Sequence, residues 1–153
     1  MIREMTPADI PEVVRIESSS FSDPWPLEVL ESALLQRSTA ALVYDSGKEI
    51  LGYVIVHLKP REIRIANLAV QKDHRRQGIA LACLGHVEGL GRRREASRII
   101  LEVQETNLAA QLLYRKAGYR ATKVLKNYYP AVGEDGYEMV RALQEVAPAP
   151  APV

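Results

Sequence analysis

Two stretches, Ile65-Ala66-Asn67-Leu68-Ala69-Val70 and Arg75-Arg76-Gln77-Gly78-Ile79-Ala80, decide how this chain is read. The first is an apolar run of strand length. The second opens a long helical stretch that begins near Ile79. A strand, a Gly-containing turn and a helix start form an anion site, because the first-turn N–H groups have no intrahelical acceptor and the macrodipole favours negative charge there. Gly78 lets the main chain approach a ligand with no Cβ in the way. Arg75 and Arg76 add guanidinium groups suited to phosphate oxygens.

Composition sets the outer bounds. The chain has 153 residues, 47% of them hydrophobic, and a formal net charge of +1. One α/β domain over residues 1–145 fits that length, with an extended Ala/Pro tail over 146–153 that has nothing to bury. The near-zero charge gives no whole-chain field for nucleic acid or membrane. A single Cys83 excludes an internal disulfide and fits a reducing compartment. The first residues lack an apolar signal core and no apolar run has bilayer length, so a cytoplasmic location is expected.

Outward from the Gly78 turn, the elements alternate in type. Ile2 to Met5 reads as a short strand, and Thr6-Pro7-Ala8-Asp9 as a helix start with Thr6 at the N-cap and Pro7 at N1. A second short helix follows from Leu27 to Gln36. Strands at Ala40–Tyr44 and Ile50–Leu58 flank the turn signal Asp45-Ser46-Gly47-Lys48, and a third covers Glu62–Val70. After the helix from Ile79 to Arg94, the apolar run Arg98–Gln104 suits a strand buried on both faces. A helix from Asn107 to Ala117 stops at Gly118. Tyr119–Tyr129 and Tyr137–Leu143 close the chain as strands, around a loop that includes Pro130 to Gly136. The order is β-α-α-β-β-β-α-β-α-β-β, and a ligand belongs beyond the C-terminal ends of the strands around the Gly78 turn.

Within this frame three residues carry chemistry. Glu102 is a carboxylate near the C-terminal end of a buried strand, which is costly unless paired, exposed or functional. Tyr114 lies seven positions after Asn107, so both occupy one helix face. Asn107 can cap the helix and still present an amide. Each alone has a plainer alternative: a strand-end charge reaching water, a core aromatic, a simple cap.

Together the motifs resemble one family. Arg-x-x-Gly-x-Ala at 75–80 resembles the acetyl-CoA pyrophosphate loop of the GNAT N-acetyltransferases. Leu101-Glu102-Val103, Asn107-Leu108-Ala109-Ala110, Leu113-Tyr114 and Ala117-Gly118-Tyr119 resemble the second half of those sequences in order and spacing. Phe21-Ser22-Asp23-Pro24-Trp25 and Asn127-Tyr128-Tyr129-Pro130 resemble segments of the RimI-type protein N-terminal acetyltransferases. The resemblance implies a GNAT fold: a mixed sheet of about seven strands with about four helices, splayed in a V between the fourth and fifth strands. It implies acetyl-CoA as cosubstrate, no metal, and a protein N-terminus, that of a small-subunit ribosomal protein, as acceptor. By position it assigns Glu102 as general base, directly or through water, and Tyr114 as general acid. It assigns Leu68, Ala69 and Val70 to the pantetheine arm, Arg75, Arg76, Gln77, Gly78, Ile79 and Ala80 to the pyrophosphate, and Asn107 to the cofactor. Trp25, Tyr128 and Tyr129 become walls of the peptide slot. A bulged end of the Ile65–Val70 strand would offer a backbone N–H to the thioester carbonyl. Gln104 stands where some relatives carry Arg.

The implied chemistry is coherent. Deprotonating an α-amine at neutral pH costs only about 1 kcal/mol, against roughly 4–5 kcal/mol for a lysine. Cys83 sits inside a helix, where a packed thiol is expected rather than a nucleophile. Cys83 and His86 supply two ligand types at helical spacing, which is not a metal site. Arg92-Arg93-Arg94 reads as a solvated helix end before it reads as an RNA contact. Two other functions share these motifs: acetylation of a small-molecule amine, and non-catalytic binding of acetyl-CoA.

Overall fold

A computed structural model describes residues 1–144; the Ala/Pro tail lies outside the described residues. The elements are β1 (Ile2–Glu4), α1 (Ile10–Ser20), α2 (Leu27–Leu35), β2 (Thr39–Asp45), β3 (Ile50–Lys59), β4 (Glu62–Val70), α3 (Ile79–Arg93), β5 (Arg98–Gln104), α4 (Leu108–Lys116), β6 (Arg120–Tyr129) and β7 (Glu134–Ala142). Single 3-10 turns at Pro7–Asp9 and Lys72–His74 lead into α1 and the Gly78 loop. The seven strands form one sheet in the order β1-β2-β3-β4-β5-β7-β6. Neighbours are antiparallel except β4 and β5, which are parallel.

Strand alternation sends apolar side chains to both faces. Leu42, Val54, Val56, Ile63, Ile65, Ile99, Leu101 and Val103 build one core with Cys83, Leu84 and Val87 of α3. Ala41, Val43, Tyr53, Ile55 and Ala69 build the other with Val13 and Ile16 of α1 and Leu30 of α2. Cys83 is fully buried, and burial pushes its thiol up to about 11, which suits a packing role. Among the described residues no helix is long and apolar enough to cross a membrane.

The expected α1 start is present as a capping box, with the Thr6 N–H donating to Asp9 Oδ2 at 2.8 Å. Asp9 also takes both terminal nitrogens of Arg3, at 2.8 and 2.9 Å, and the Arg3 Nε donates to Asp45. One guanidinium thereby ties β1 to α1 and to the end of β2. One boundary differs from the sequence reading. The last strand begins at Glu134 rather than Tyr137, so the loop shrinks to a turn over Pro130–Gly133. Gln104 pairs with Gly136, and the Glu105 N–H donates to the Asp135 carbonyl, so β5 recruits a segment whose composition reads as loop.

The Arg3 guanidinium holds the Asp9 carboxyl down at about 2. Its stabilisation is therefore complete above the ordinary carboxylate range and is lost as pH falls toward 2. Asp9→Asn should cost about 1–2 kcal/mol at pH 7, and its Tm difference from wild type should narrow in acid. A difference independent of pH, measured by calorimetry from pH 7 to pH 2.5, would contradict this.

Candidate active site

The parallel pair that centres the sheet is short. β4 and β5 share register at Glu62–Arg98, Ile63–Ile99 and Arg64–Ile100 and then part. Past that point the facing edges have no strand partner among the described residues. Leu68, Ala69 and Val70 are paired with Val54, Tyr53 and Gly52 of β3 on one side only. Their other edge offers N–H and C=O groups to an extended ligand, the place expected for a pantetheine arm.

A β-bulge lies beside this opening. Asn67 faces Ile55 and Ile65 faces Val56, which leaves Ala66 without a partner in the register. The extra residue shifts the alternation by one, so Asn67 and Ala69 turn toward α1 while Ile63 and Ile65 face α3.

At the mouth of the opening the chain turns through Arg76 and Gly78, both with left-handed backbone at φ 63° and 82°, into the first turn of α3. A Cβ on Gly78 would meet nothing within 4 Å, so glycine serves the backbone conformation there rather than relieving crowding. The first-turn N–H groups of α3 have no intrahelical partner and the loop beside them is open. Arg76, Gln77 and Gly78 are exposed, and Ala80 is half-buried. Arg75 folds back, with Nε donating to the Val70 carbonyl at 3.2 Å and Nη2 to Ser20 Oγ at 3.4 Å. Ile79 buries its side chain against Leu51 and Val70, so only its backbone faces the loop.

The floor of the cleft is charged. Glu102 projects from β5 on the face opposite α3 and pairs with the Nη1 of Arg64 on β4. Glu138 of β7 stands directly opposite Glu102 and pairs with Lys123 of β6 at 3.0 Å. Tyr128 and Tyr129 meet edge to face with centroids 5.1 Å apart. Burial first and Tyr128 and Glu102 next raise the Tyr129 hydroxyl to about 12. Burial and then Glu102 raise Tyr128 as well. Gly136 makes room for them: a Cβ there would come within 2.9 Å of the Tyr129 ring.

On α4, the Tyr114 ring packs against the core on the α3 side and lies 6.0 Å from the Tyr119 ring. Burial, with a smaller push from Tyr129, raises the Tyr114 hydroxyl to about 12. It is therefore a proton donor throughout the physiological range. Asn107 caps α4, its Oδ1 accepting from the Ala110 N–H at 3.2 Å. Gln111 Nε2 donates to the carbonyls of Gln104 and Glu105 at 3.0 Å each, anchoring α4 to the end of β5. Gln104 itself donates to Glu134 at 3.3 Å. Glu102 thus acts on Tyr128 and Tyr129, and Tyr129 on Tyr114, while Arg76 to Ala80 follow the C-terminal end of β4. Arg92 is not free: it donates to Glu88 at 2.8 Å and to the Leu143 carbonyl at 3.1 Å.

The sequence reading passed over Glu17. This carboxylate on α1 is 1% exposed. It accepts from the Tyr53 hydroxyl, from Asn67 Nδ2 at 2.6 Å and from the Trp25 N–H at 3.0 Å. One buried group thereby joins α1, the Trp25 backbone and the bulge of β4. Burial and the Glu17 charge push the Tyr53 hydroxyl well above its ordinary range. The missing signal was long-range: Asn67 lies fifty residues from Glu17. Glu17→Ala would leave one buried and two half-buried donors without an acceptor and should lower unfolding free energy by about 3–5 kcal/mol. A urea midpoint unchanged from wild type would exclude the hub described here.

The geometry agrees with what the chain resembles. The model of the Acetyltransferase (GNAT) family matches residues 10–119. An N-alpha-acetyltransferase of Sulfolobus acidocaldarius is 31% identical, with 93% of this chain and 92% of that protein covered. The [ribosomal protein bS18]-alanine N-acetyltransferase of Escherichia coli (strain K12) is 29% identical, with 90% of each chain covered. The crystal structure of the ribosomal-protein-S18-alanine N-acetyltransferase from Escherichia coli superposes with a TM-score of 0.87 at 24% identity, covering 97% of both chains. The chain belongs to the acetyltransferase (GNAT) family and is an N-acetyltransferase that uses acetyl-CoA.

Proposed function

We propose that this enzyme transfers acetyl from acetyl-CoA to the α-amino group of a protein N-terminus, and that the acceptor is a small-subunit ribosomal protein in the cytoplasm. The observation that carries the reading is the gap between β4 and β5, with Glu102 on β5 acting on Tyr128 and Tyr129, and Tyr129 in turn acting on Tyr114. The names of the Escherichia coli and Sulfolobus acidocaldarius relatives support it.

In this reading the pyrophosphate lies on the loop Arg76 to Ala80, and the pantetheine arm adds to the open edge of β4 at Leu68, Ala69 and Val70. Arg75 supports the loop from Val70 and Ser20, and Asn107 presents α4 to the cofactor. Trp25, Tyr128 and Tyr129 line the slot for the peptide. The α-ammonium ion gives one proton to solvent, and Glu102 takes the second, directly or through a water, as the nitrogen attacks. The nitrogen lone pair attacks the thioester carbonyl, whose oxygen is polarised by backbone N–H beside the bulge. The C–S bond breaks, and Tyr114 gives its proton to the departing thiolate. Attack is direct, in a ternary complex, and Cys83 takes no part.

With peptides bearing a free or a blocked N-terminus, acetyl should appear by mass spectrometry on the α-amine alone; equal rates on a blocked, lysine-bearing peptide would point to a small-amine enzyme, and donor binding without turnover to a sensor. Glu102→Gln and Tyr114→Phe should each lower kcat by about 10²–10⁴-fold. Because the acid form of Tyr114 persists until about 12, kcat should show no fall near pH 10, where an ordinary tyrosine is half ionised. A descending limb centred there would remove Tyr114 from the acid role. Gly78→Ala should preserve the fold at a cost of about 1 kcal/mol for the left-handed backbone, while raising the Kd for acetyl-CoA at least tenfold. Unchanged affinity by calorimetry would move the pyrophosphate away from this loop.

A further inference from the structure

Arg64 is the one group at the proposed acceptor site whose charge opposes the substrate. An α-ammonium ion arrives beside Glu102, yet Glu102 already holds a guanidinium. The contact uses Nη1 only, and Arg64 makes no other hydrogen bond among the described residues. Its side chain is 31% exposed and lies near enough to Tyr128 to act on that hydroxyl, and four of its five N–H donors are left for a ligand.

Among the described residues the surrounding charges leave Arg64 no second partner. Along this face of the sheet a row runs Arg64, Glu102, Glu138, Lys123 across β4, β5, β7 and β6. Glu138 lies on the far side of Glu102 and is taken by Lys123. The carboxylates at the β6–β7 end are engaged as well. Glu134 accepts from Gln104 and Thr106, Asp135 from the Asn127 N–H at 2.7 Å, and Glu105 from the Asp135 N–H at 3.2 Å. When Glu102 turns to the amine, Arg64 is left as a half-buried cation next to a cationic substrate. Like charges brought together at a partly desolvated contact cost several kcal/mol, and a planar guanidinium is matched best by a carboxylate.

We propose that Arg64 is a specificity-determining residue that selects N-termini carrying an Asp or Glu side chain at the first or second position. The substrate carboxylate takes over the guanidinium as Glu102 is released to the amine, so the charges stay paired throughout. The inference rests on the reading of Glu102 as the group that meets the α-amine. It differs from that reading in claiming a preference among peptides that are all acetylated at the same atom.

The test is a set of peptides of one length and one downstream sequence, beginning Ala-Asp, Asp-Ala, Ala-Ala, Ala-Arg and Arg-Ala, assayed for kcat/KM with the full chain and with Arg64→Gln and Arg64→Lys. At least one acidic peptide should exceed its arginine counterpart by about tenfold or more in the wild type, mostly through KM and less at high salt. In Arg64→Gln that ratio should fall toward one, and Arg64→Lys should keep part of it. A general loss of folding or of catalysis would lower every peptide together and leave the ratio standing, so a ratio unchanged in Arg64→Gln overturns the proposal. So does α-amine acetylation with no acidic preference in the wild type, which leaves the proposed function intact. Absence of α-amine acetylation on every peptide overturns both.

Discussion

The parting of β4 from β5 is the constraint on which the rest of this molecule depends. Three register pairs hold the two strands together, and beyond Arg64 and Ile100 each carries an edge with no strand partner among the described residues. Backbone N–H and C=O groups near a core are costly to leave unpaired, so such an edge is kept only where something else is to be bound. The cores on both faces keep the halves from collapsing toward each other. α3 spans one face behind Ile63, Ile65, Ile99 and Leu101, and α1 and α2 cover β2 to β4 on the other. The opening is thus built by packing elsewhere.

Two features turn the opening into a site with direction. At one end the Gly78 loop and the start of α3 supply a positive, donor-rich mouth. At the other end a bulge at Ala66 changes the facing of β4, and the buried carboxylate of Glu17 fixes that bulge through Asn67. Glu17 also holds the Trp25 backbone, so the segment between α1 and α2 and the bulged strand share one anchor. The Arg64–Glu102 pair sits on the closed side of the bulge, at the point where the strands separate.

Most of the frame was legible because its signals are local. Thr6 and Asp9 announce a helix start, Asp45 to Lys48 a hairpin, and Gly78 and Asn107 the starts of α3 and α4; each acts within four residues of itself. What was not legible depends on partners far along the chain. Glu134, Asp135 and Gly136 read as loop by composition, and they become strand because Gln104 and Glu105 pair with them. Glu17 sits in an amphipathic helix where a glutamate is ordinarily solvated, and only the fold brings Tyr53 and Asn67 to it. Arg64 follows the polar-out alternation of Glu62-Ile63-Arg64-Ile65, so nothing local marks it as the partner of Glu102. The residues proposed as catalytic were found through a resemblance, since a strand-end glutamate and a helical tyrosine are unremarkable one at a time.

The central claim is that acetyl-CoA fills the gap between β4 and β5 and is held at the Gly78 loop. Amide hydrogen exchange with and without acetyl-CoA tests it on the backbone groups that the claim invokes. Exchange should slow at the end of β4, Leu68 to Val70, and at Gly78 to Ala80, with little change in β1 and β2. Saturating acetyl-CoA that leaves both of those segments exchanging as before would contradict the account.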